Sequence, residues 1–506
     1  MNIQFSQLSF LHPILFAFFP IIFIFSNNMS FLNFDDFLYP SLLFIGITIV
    51  SWYVLKLIFK NTKKSSIVLS LSLILFFSYG HIQKTLLESG FDIGNKFLIP
   101  IFLLILVFIT ILIIRKNSNF SNWTKIINSI AFTVVIVSAI NFVNIDDFDS
   151  STSTTFEENL FSEYENPPNV FYIILDAYGG QQALKEFYDF DNSKFLDELR
   201  ERNFSTVKNS RSNYVETYLS LPSSLNMGYL ESYEKNELGT NLELTYNMIP
   251  DNQVMKIFEM MNYQIATVSS GWGTTRSFEI SDINYCGTFN MMDNSQILIS
   301  ILDNSILKSF YAKFFIDNRQ EQVLCQFDRI PKIIDDSDGP FFLFAHLLVP
   351  HKPYYFGPNG ESLNPDSIEL GGFEKRNFDY IKQLQFVNKK TLELIDKIIE
   401  NSKEPPIIII QSDHGSEFPQ DATDLQKMNE KMHNFNAYYL PDGGESILYD
   451  DVTPVNSFRL IFNYYFNGHY EILDDTSYWS DGSLFEEKGY PKFHDVTEKL
   501  KLPPYN

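Results

Sequence analysis

The chain has 506 residues and a formal charge of −23, and is too long for one compact domain. The charge is uneven: residues 1–150 hold nine Lys/Arg and seven Asp/Glu, a net of +2, which leaves −25 on the remainder. So acidic a second part excludes nucleic acid as a partner bound by overall charge, although a cation held inside it would still draw an anionic substrate.

Apolar segments recur at 8–26, 37–58, 66–82, 97–114 and 126–145. Each is about the 20 residues that cross a bilayer as a helix. A cleavable signal peptide does not explain five of them, and the first lacks a basic flank. The third, which ends in Ser78-Tyr79-Gly80-His81, is the least clear. Lys56, Lys60, Lys63 and Lys64 link the second and third segments, and Arg115, Lys116 and Lys125 link the fourth and fifth. The first-to-second link has only Asp35 and Asp36. By the positive-inside rule the two basic links face the cytoplasm. Five spans with the N-terminus inside then put everything after residue 145 outside. Residues 1–145 read as a transmembrane region and 146–167, acidic and rich in Ser and Thr, as a solvated linker. Residues 168–506 read as an extracytoplasmic domain.

After Pro167-Pro168 the pattern changes to short apolar runs alternating with helical periodicity at 192–202, 253–262, 316–328, 373–400 and 454–465, the signature of an α/β domain. Three runs, Phe171–Leu175, Phe341–Ala345 and Ile407–Ile410, are apolar at consecutive positions, as in strands of a mostly parallel sheet covered by helices on both faces. Gln264–Ser269 is a further strand. The three runs stop on Asp176, His346 and the pair Asp413-His414. In such sheets ligands bind beyond the carboxyl ends of the strands, so these four residues are expected to meet. Aspartate with histidine suits Zn²⁺ or Mn²⁺ better than Ca²⁺. A turn-rich stretch at 357–372 comes soon after His351 and is expected to rim the site. Cys286 and Cys325 have no metal-binding spacing; they read as two buried free thiols, with a disulfide as the alternative in an outward-facing domain.

Chemistry on phosphate or sulfate esters needs a nucleophile, a metal that lowers its pKa, and groups that stabilise the developing charge. A hydroxyl at a helix start suits the nucleophile, because backbone N–H groups there favour an anion. Thr217 in the segment Ser212 to Met227 fits, with Ser212 and Ser220 as competing hydroxyls. Here the sequence resembles the alkaline phosphatase superfamily, and more closely its membrane-bound, sulfatase-like branch of lipoteichoic acid synthases and lipid A phosphoethanolamine transferases. Thr217-Tyr218-Leu219-Ser220-Leu221-Pro222 matches the transferases' Thr-x-x-Ser-x-Pro motif, and Ser412-Asp413-His414-Gly415 their late Ser-Asp-His-Gly. Asp176 stands where those transferases have Glu and the wider superfamily has Asp. His346 and His351 match a pair of histidines five residues apart.

The resemblance implies a metal-dependent phosphotransferase anchored in the membrane, moving a phospho-alcohol group from a lipid donor to a cell-envelope glycan or lipid through a phospho-threonine. It implies that Asp176, Thr217, Asp413 and His414 hold one divalent metal, Zn or Mn, and that His351 and His346 serve the leaving group. His433, with His346 and His351, is a candidate for a second metal or the substrate, and Asn213 for a phosphate oxygen. Leu219 and Leu221 stand where a formylglycine sulfatase motif needs Pro and Arg, and the transferases' many cysteines are missing. The alternatives are a sulfatase-like hydrolase or phosphodiesterase of the same superfamily, and an inactive membrane scaffold.

Overall fold

A computed structural model of the chain describes residues 8–29, 32, 34–89, 91, 93–117, 119–140, 167–230, 243–287, 295–363, 372–416, 422–480 and 493–500. Most of the expected linker, 146–166, and the centre of the expected rim, 364–371, lie outside them. The chain divides into two compact units: Met1–Thr152 with Thr288–Asp317, and Ser153–Gly287 with Asn318–Asn506.

The first unit is helical, with α1 Leu11–Asn27, α2 Phe34–Phe59, α3 Thr62–Glu88, α4 Asn95–Arg115 and α5 Ser121–Ala139. The sequence predicts five spans. Four of these helices, α2 to α5, are long and apolar enough to cross a membrane; α1 has 17 residues and falls short of that length. On α4 only Leu98 and Phe102 are buried, while Leu104 and Phe108 are about two-thirds exposed. A helix apolar all round that touches its neighbour along one narrow stripe only, Leu98 and Phe102 against Tyr79 of α3, leaves the rest of its surface for lipid.

The two basic links meet at one end of this unit. Lys63 Nζ donates to Asn119 Oδ1 at 2.9 Å and to Ser121 Oγ at 2.5 Å, and Lys64 Nζ to the Ile114 carbonyl at 2.8 Å. At the other end, where α2 begins and α3 closes, lies a helix contributed from much later in the chain, Gln296–Asp303. Ser295 caps it, its hydroxyl accepting from Leu298 N at 3.2 Å. Its Ile297, Leu298 and Ile301 pack among Ala17, Ile21, Phe25, Leu32 and Phe44. Gly80 is required at that contact: a Cβ there would lie 2.7 Å from Asn304 Cα. This close approach explains the break in apolar pattern near Gly80 without a break in the helix.

The second unit is built on a seven-stranded sheet: β1 Val170–Leu175, β2 Ser205–Thr206, β3 Gln264–Val268, β4 Ile283–Tyr285, β5 Phe341–Leu347, β6 Ile407–Gln411 and β7 Asn436–Tyr439, in the order β2-β7-β6-β1-β5-β3-β4. From β6 to β4 all pairings are parallel; β7 joins β6, and β2 joins β7, antiparallel. β1 is central and every residue in it is buried. Ile174 pairs with His346 on one side and Gln411 on the other, so Asp176 stands level with Asp413. Side chains alternate between faces with period two. The parity that carries Val170, Tyr172 and Ile174, Phe342 and Phe344, Ile407 and Ile409 into one core cluster therefore carries Asp176, His346 and Asp413 to the same face. The helix Thr217–Leu225 covers that face through Leu221 and Leu225. The two cysteines are paired: Cys286 and Cys325 form a disulfide with Cα atoms 6.0 Å apart, which corrects the reading as free thiols.

Candidate active site

Four elements of the second unit deliver the predicted residues to one place. β1 ends at Leu175, and the chain turns at once through Ala177, whose φ of +59° is a left-handed conformation uncommon outside glycine. The turn leaves Asp176 at the carboxyl end of the sheet, still buried. Past β6, Ser412 holds the next turn, accepting from Tyr178 N at 2.8 Å and donating to the His414 carbonyl at 2.6 Å. The helix Thr217–Leu225 starts on Thr217 itself, with extended backbone at Glu216. Ligand atoms of Asp176, Asp413 and His414 all lie within 4.8 Å of one another.

Thr217 Oγ1 donates to Asp413 Oδ2 at 2.7 Å and lies 3.4 Å from His414 Nε2. His414 Nε2 is 3.6 Å from Asp176 Oδ1 and 3.5 Å from Asp413 Oδ2. Its other nitrogen, Nδ1, donates to the Gly415 carbonyl at 2.8 Å. That contact fixes the tautomer and aims the Nε2 lone pair at the cluster. Asp413 Oδ1 also accepts from Ala177 N at 3.3 Å. His346 Nε2 lies 3.6 Å from Asp176 Oδ2, and its Nδ1 is 3.0 Å from the hydroxyl of Thr275. The His351 ring stands 6.2 Å from the His414 ring.

The donor set fits a divalent cation. Two carboxylates stand together at 4 % and 2 % exposure, an arrangement that costs free energy unless a positive charge compensates it. Asp176 Oδ1 and His346 Nε2 are buried without a hydrogen-bond partner, which in a folded protein calls for an explanation such as an ion. Burial pushes the Asp176 carboxyl upward, yet His351, His346 and His414 around it hold it on balance below the usual carboxylate range.

The other candidates stand elsewhere. Asn213 is fully engaged in the frame: its amide donates to Thr453 Oγ1 and the Thr476 carbonyl, both at 2.9 Å, and accepts from Val455 N at 2.9 Å. His433 bonds the Asn429 carbonyl through Nδ1 at 2.7 Å. It lines a separate cavity of about 370 Å³ with Arg200, Lys208 and Asn436. Neither belongs to the group around Asp413. Ser212 turns to Met432, whereas Ser220 donates to the Asp413 carbonyl at 2.5 Å and so pins the main chain of a cluster residue. Thr275, which orients His346, is not among the residues that the sequence singles out. It sits in the loop after β3, and the rule that points past β1, β5 and β6 points past β3 as well.

Among curated proteins none matches the sequence. Of solved structures, the periplasmic domain of EcEptC from Escherichia coli is similar at 14 % identity, over 66 % of this chain and 94 % of that one, with a TM-score of 0.43. Lipooligosaccharide phosphoethanolamine transferase A from Neisseria meningitidis is similar at 14 % identity, over 90 % and 94 %, with a TM-score of 0.42. The periplasmic domain of phosphoethanolamine transferase EptC from Campylobacter jejuni gives 12 %, 60 %, 90 % and 0.39. The Sulfatase family model matches residues 168–451, more than half of the chain and the whole stretch from β1 past the Asp413-His414 turn to the end of β7. The chain thus belongs to the sulfatase family, enzymes that act on phosphate or sulfate esters.

Proposed function

We propose that the protein is a membrane-anchored phosphotransferase that uses Thr217 as its nucleophile and moves a phospho-alcohol group from a lipid donor to a cell-envelope glycan or lipid. The observation that carries the proposal is the hydroxyl of Thr217, at the first residue of a helix and within 3.4 Å of both Asp413 and His414. A divalent cation, Zn or Mn, held by Asp176, Asp413, His414 and Thr217 would lower the pKa of a neighbouring hydroxyl and neutralise charge on the transferring phosphoryl group. Thr217 Oγ1 attacks phosphorus, its proton leaving toward Asp413 Oδ2. The bond from phosphorus to the lipid oxygen breaks, and His351, with His346 behind it, protonates that oxygen. An acceptor hydroxyl then attacks the phospho-threonine and gives its proton back to the histidine, while the bond from phosphorus to Thr217 Oγ1 breaks and Oγ1 recovers the proton left on Asp413.

Threonine at the nucleophile position, with Leu219 and Leu221 after it, favours this chemistry over formylglycine-dependent sulfate hydrolysis. The complete set of Asp176, Asp413 and His414 argues against an inactive scaffold. We further propose that α1 is the fifth span and that residues 168–506, apart from the stretch that packs with the helices, form the catalytic domain outside the cytoplasm. Contact between the two basic links supports that orientation, since both must then lie on one side.

Mass spectrometry of the Thr217 peptide after incubation with membrane lipids tests the reading. A phospho-alcohol adduct on Thr217 is expected. Turnover of the lipids with no adduct on this residue, under conditions that trap intermediates, would remove the covalent mechanism.

A further inference from the structure

The long helix Gly372–Asn401 has the sequence of an ordinary amphipathic cover for the sheet. Tyr380, Gln383, Leu384, Val387 and Asn388 keep the i, i+3, i+4, i+7, i+8 spacing of one helical face, and the first four are at most 2 % exposed. The polar members of that face do more than pack. Tyr380 Oη donates to the Ala177 carbonyl at 2.9 Å and accepts from Gly179 N at 3.1 Å. One turn on, Gln383 Oε1 accepts from Tyr355 N at 2.6 Å and Phe356 N at 3.2 Å, and its Nε2 donates to the His351 carbonyl at 3.0 Å. Asn388 Oδ1 accepts from the hydroxyl of Tyr178 at 2.6 Å. All three residues after Asp176 are therefore held by this helix, and so is the loop that carries His351.

We infer that Tyr380 and Gln383 are positioning residues: Tyr380 aims Asp176 at the cation, Gln383 aims His351 at the leaving group, and their shared helix sets the distance between the two. The inference rests on the roles proposed above for Asp176 and His351. Its physical basis is that Ala177 holds a left-handed backbone that a residue with a Cβ keeps only when its surroundings over-determine it. The Tyr380 hydroxyl closes that turn from both sides. Gln383 likewise spends both ends of a buried amide on the one loop, so that loop cannot shift without leaving polar groups unpaired.

Two variants of the full-length protein separate this from plain packing. Tyr380→Phe keeps the ring and removes only the hydroxyl. Its Mn²⁺ affinity, measured by direct titration, is expected to fall roughly 10- to 100-fold, as for other supports of metal ligands, and its turnover to return at saturating Mn²⁺. Gln383→Met is expected to keep Mn²⁺ affinity. It should lose kcat, on the order of 10²-fold, on an alkyl phosphodiester whose leaving group needs a proton, with KM held, and be spared on a nitrophenyl phosphodiester whose leaving group needs none. A Tyr380→Phe protein that binds Mn²⁺ like the parent, or a Gln383→Met protein that slows both esters alike, would overturn the inference. Thr217→Ala run alongside keeps the two readings apart. If it turns over both esters, the nucleophile is wrong, while the Mn²⁺ titration of Tyr380→Phe still decides the role of the helix.

Discussion

α4 and β6 are both unbroken apolar runs, yet they are built for different surroundings. Leu104 on α4 is 68 % exposed, while Ile407 to Ile410 on β6 are fully buried. Along α4 the apolar character has no direction, because lipid surrounds a helix evenly and one position substitutes for the next. Along β6 it has an end. The run stops near the end of the strand, and the polar residues that follow, Gln411 to His414, are forced into a buried position where they must find partners. Length thus separates the two kinds of run, and the polar residue that closes a short one marks where chemistry is to be expected.

The largest expected effects test the ends of the short runs. Chelation of divalent cations should abolish turnover of a phosphodiester, and added Mn²⁺ or Zn²⁺ should restore it; full turnover in protein shown to contain no metal would mean that Asp176, Asp413 and His414 are an ordinary buried cluster. Thr217→Ala should cost on the order of 10³-fold or more in rate, while Ser212→Ala, whose hydroxyl faces Met432, should cost little. Rates compared at equal expression and metal content decide the nucleophile, and a dead Ser212→Ala beside an active Thr217→Ala would reassign it. The next effect tests the runs themselves. Ile409→Ala should lower stability by about 2–5 kcal/mol, as for other large-to-small changes in a packed core, and Leu104→Ala should stay within about 0.5 kcal/mol. Thermal unfolding of both in the same detergent would break the comparison if the two shifts were equal.

The last effect is confined to acid pH and concerns a histidine outside the cluster. Burial pushes His433 down to about 4 from an ordinary 6.5. The folded state therefore refuses a proton that the unfolded chain accepts. Stability from this group is intact above pH 6.5, declines as pH falls toward 4 and levels off below, with a ceiling of about 3 kcal/mol. His433→Asn should flatten the melting temperature of the full chain over that interval, and an unchanged slope would show that other groups set it.

The parts of the site that are legible in sequence share a cause. Asp176 and Asp413 lie just past the ends of strands buried on both faces, and His346 is the last residue but one of another, so the runs before them are apolar by necessity and the polar residue stands out. Thr217 is legible through a motif that spans the start of its helix. The supports are not. Thr275 lies in a loop whose Ser, Gly and Thr content reads as a turn, and Tyr380 and Gln383 occupy helix positions that any packing residue could fill. Their meaning comes from backbone atoms about 30 and 200 residues away, which no local pattern encodes. The helix Gln296–Asp303 is hidden for the opposite reason: its apolar periodicity is the same whichever unit buries it, and only the contacts with α1 and α2 reveal that it belongs to the first. The pairing of Cys286 with Cys325 is open in sequence because two cysteines 39 residues apart carry no information about distance.

That late helix also bears on how the molecule can be taken apart. The polypeptide passes between the two units near residue 153, again near 288 and again near 318, so no single cut frees the second unit. A fragment that begins at residue 168 would carry Ile297, Leu298 and Ile301 without the α1 and α2 side chains that cover them, leaving a sticky surface on an otherwise water-adapted body. A clean excision needs the stretch 288–317 shortened as well. Cys286 and Cys325 lie just outside its two ends, so a molecule nicked anywhere within that stretch remains one covalent chain until it is reduced.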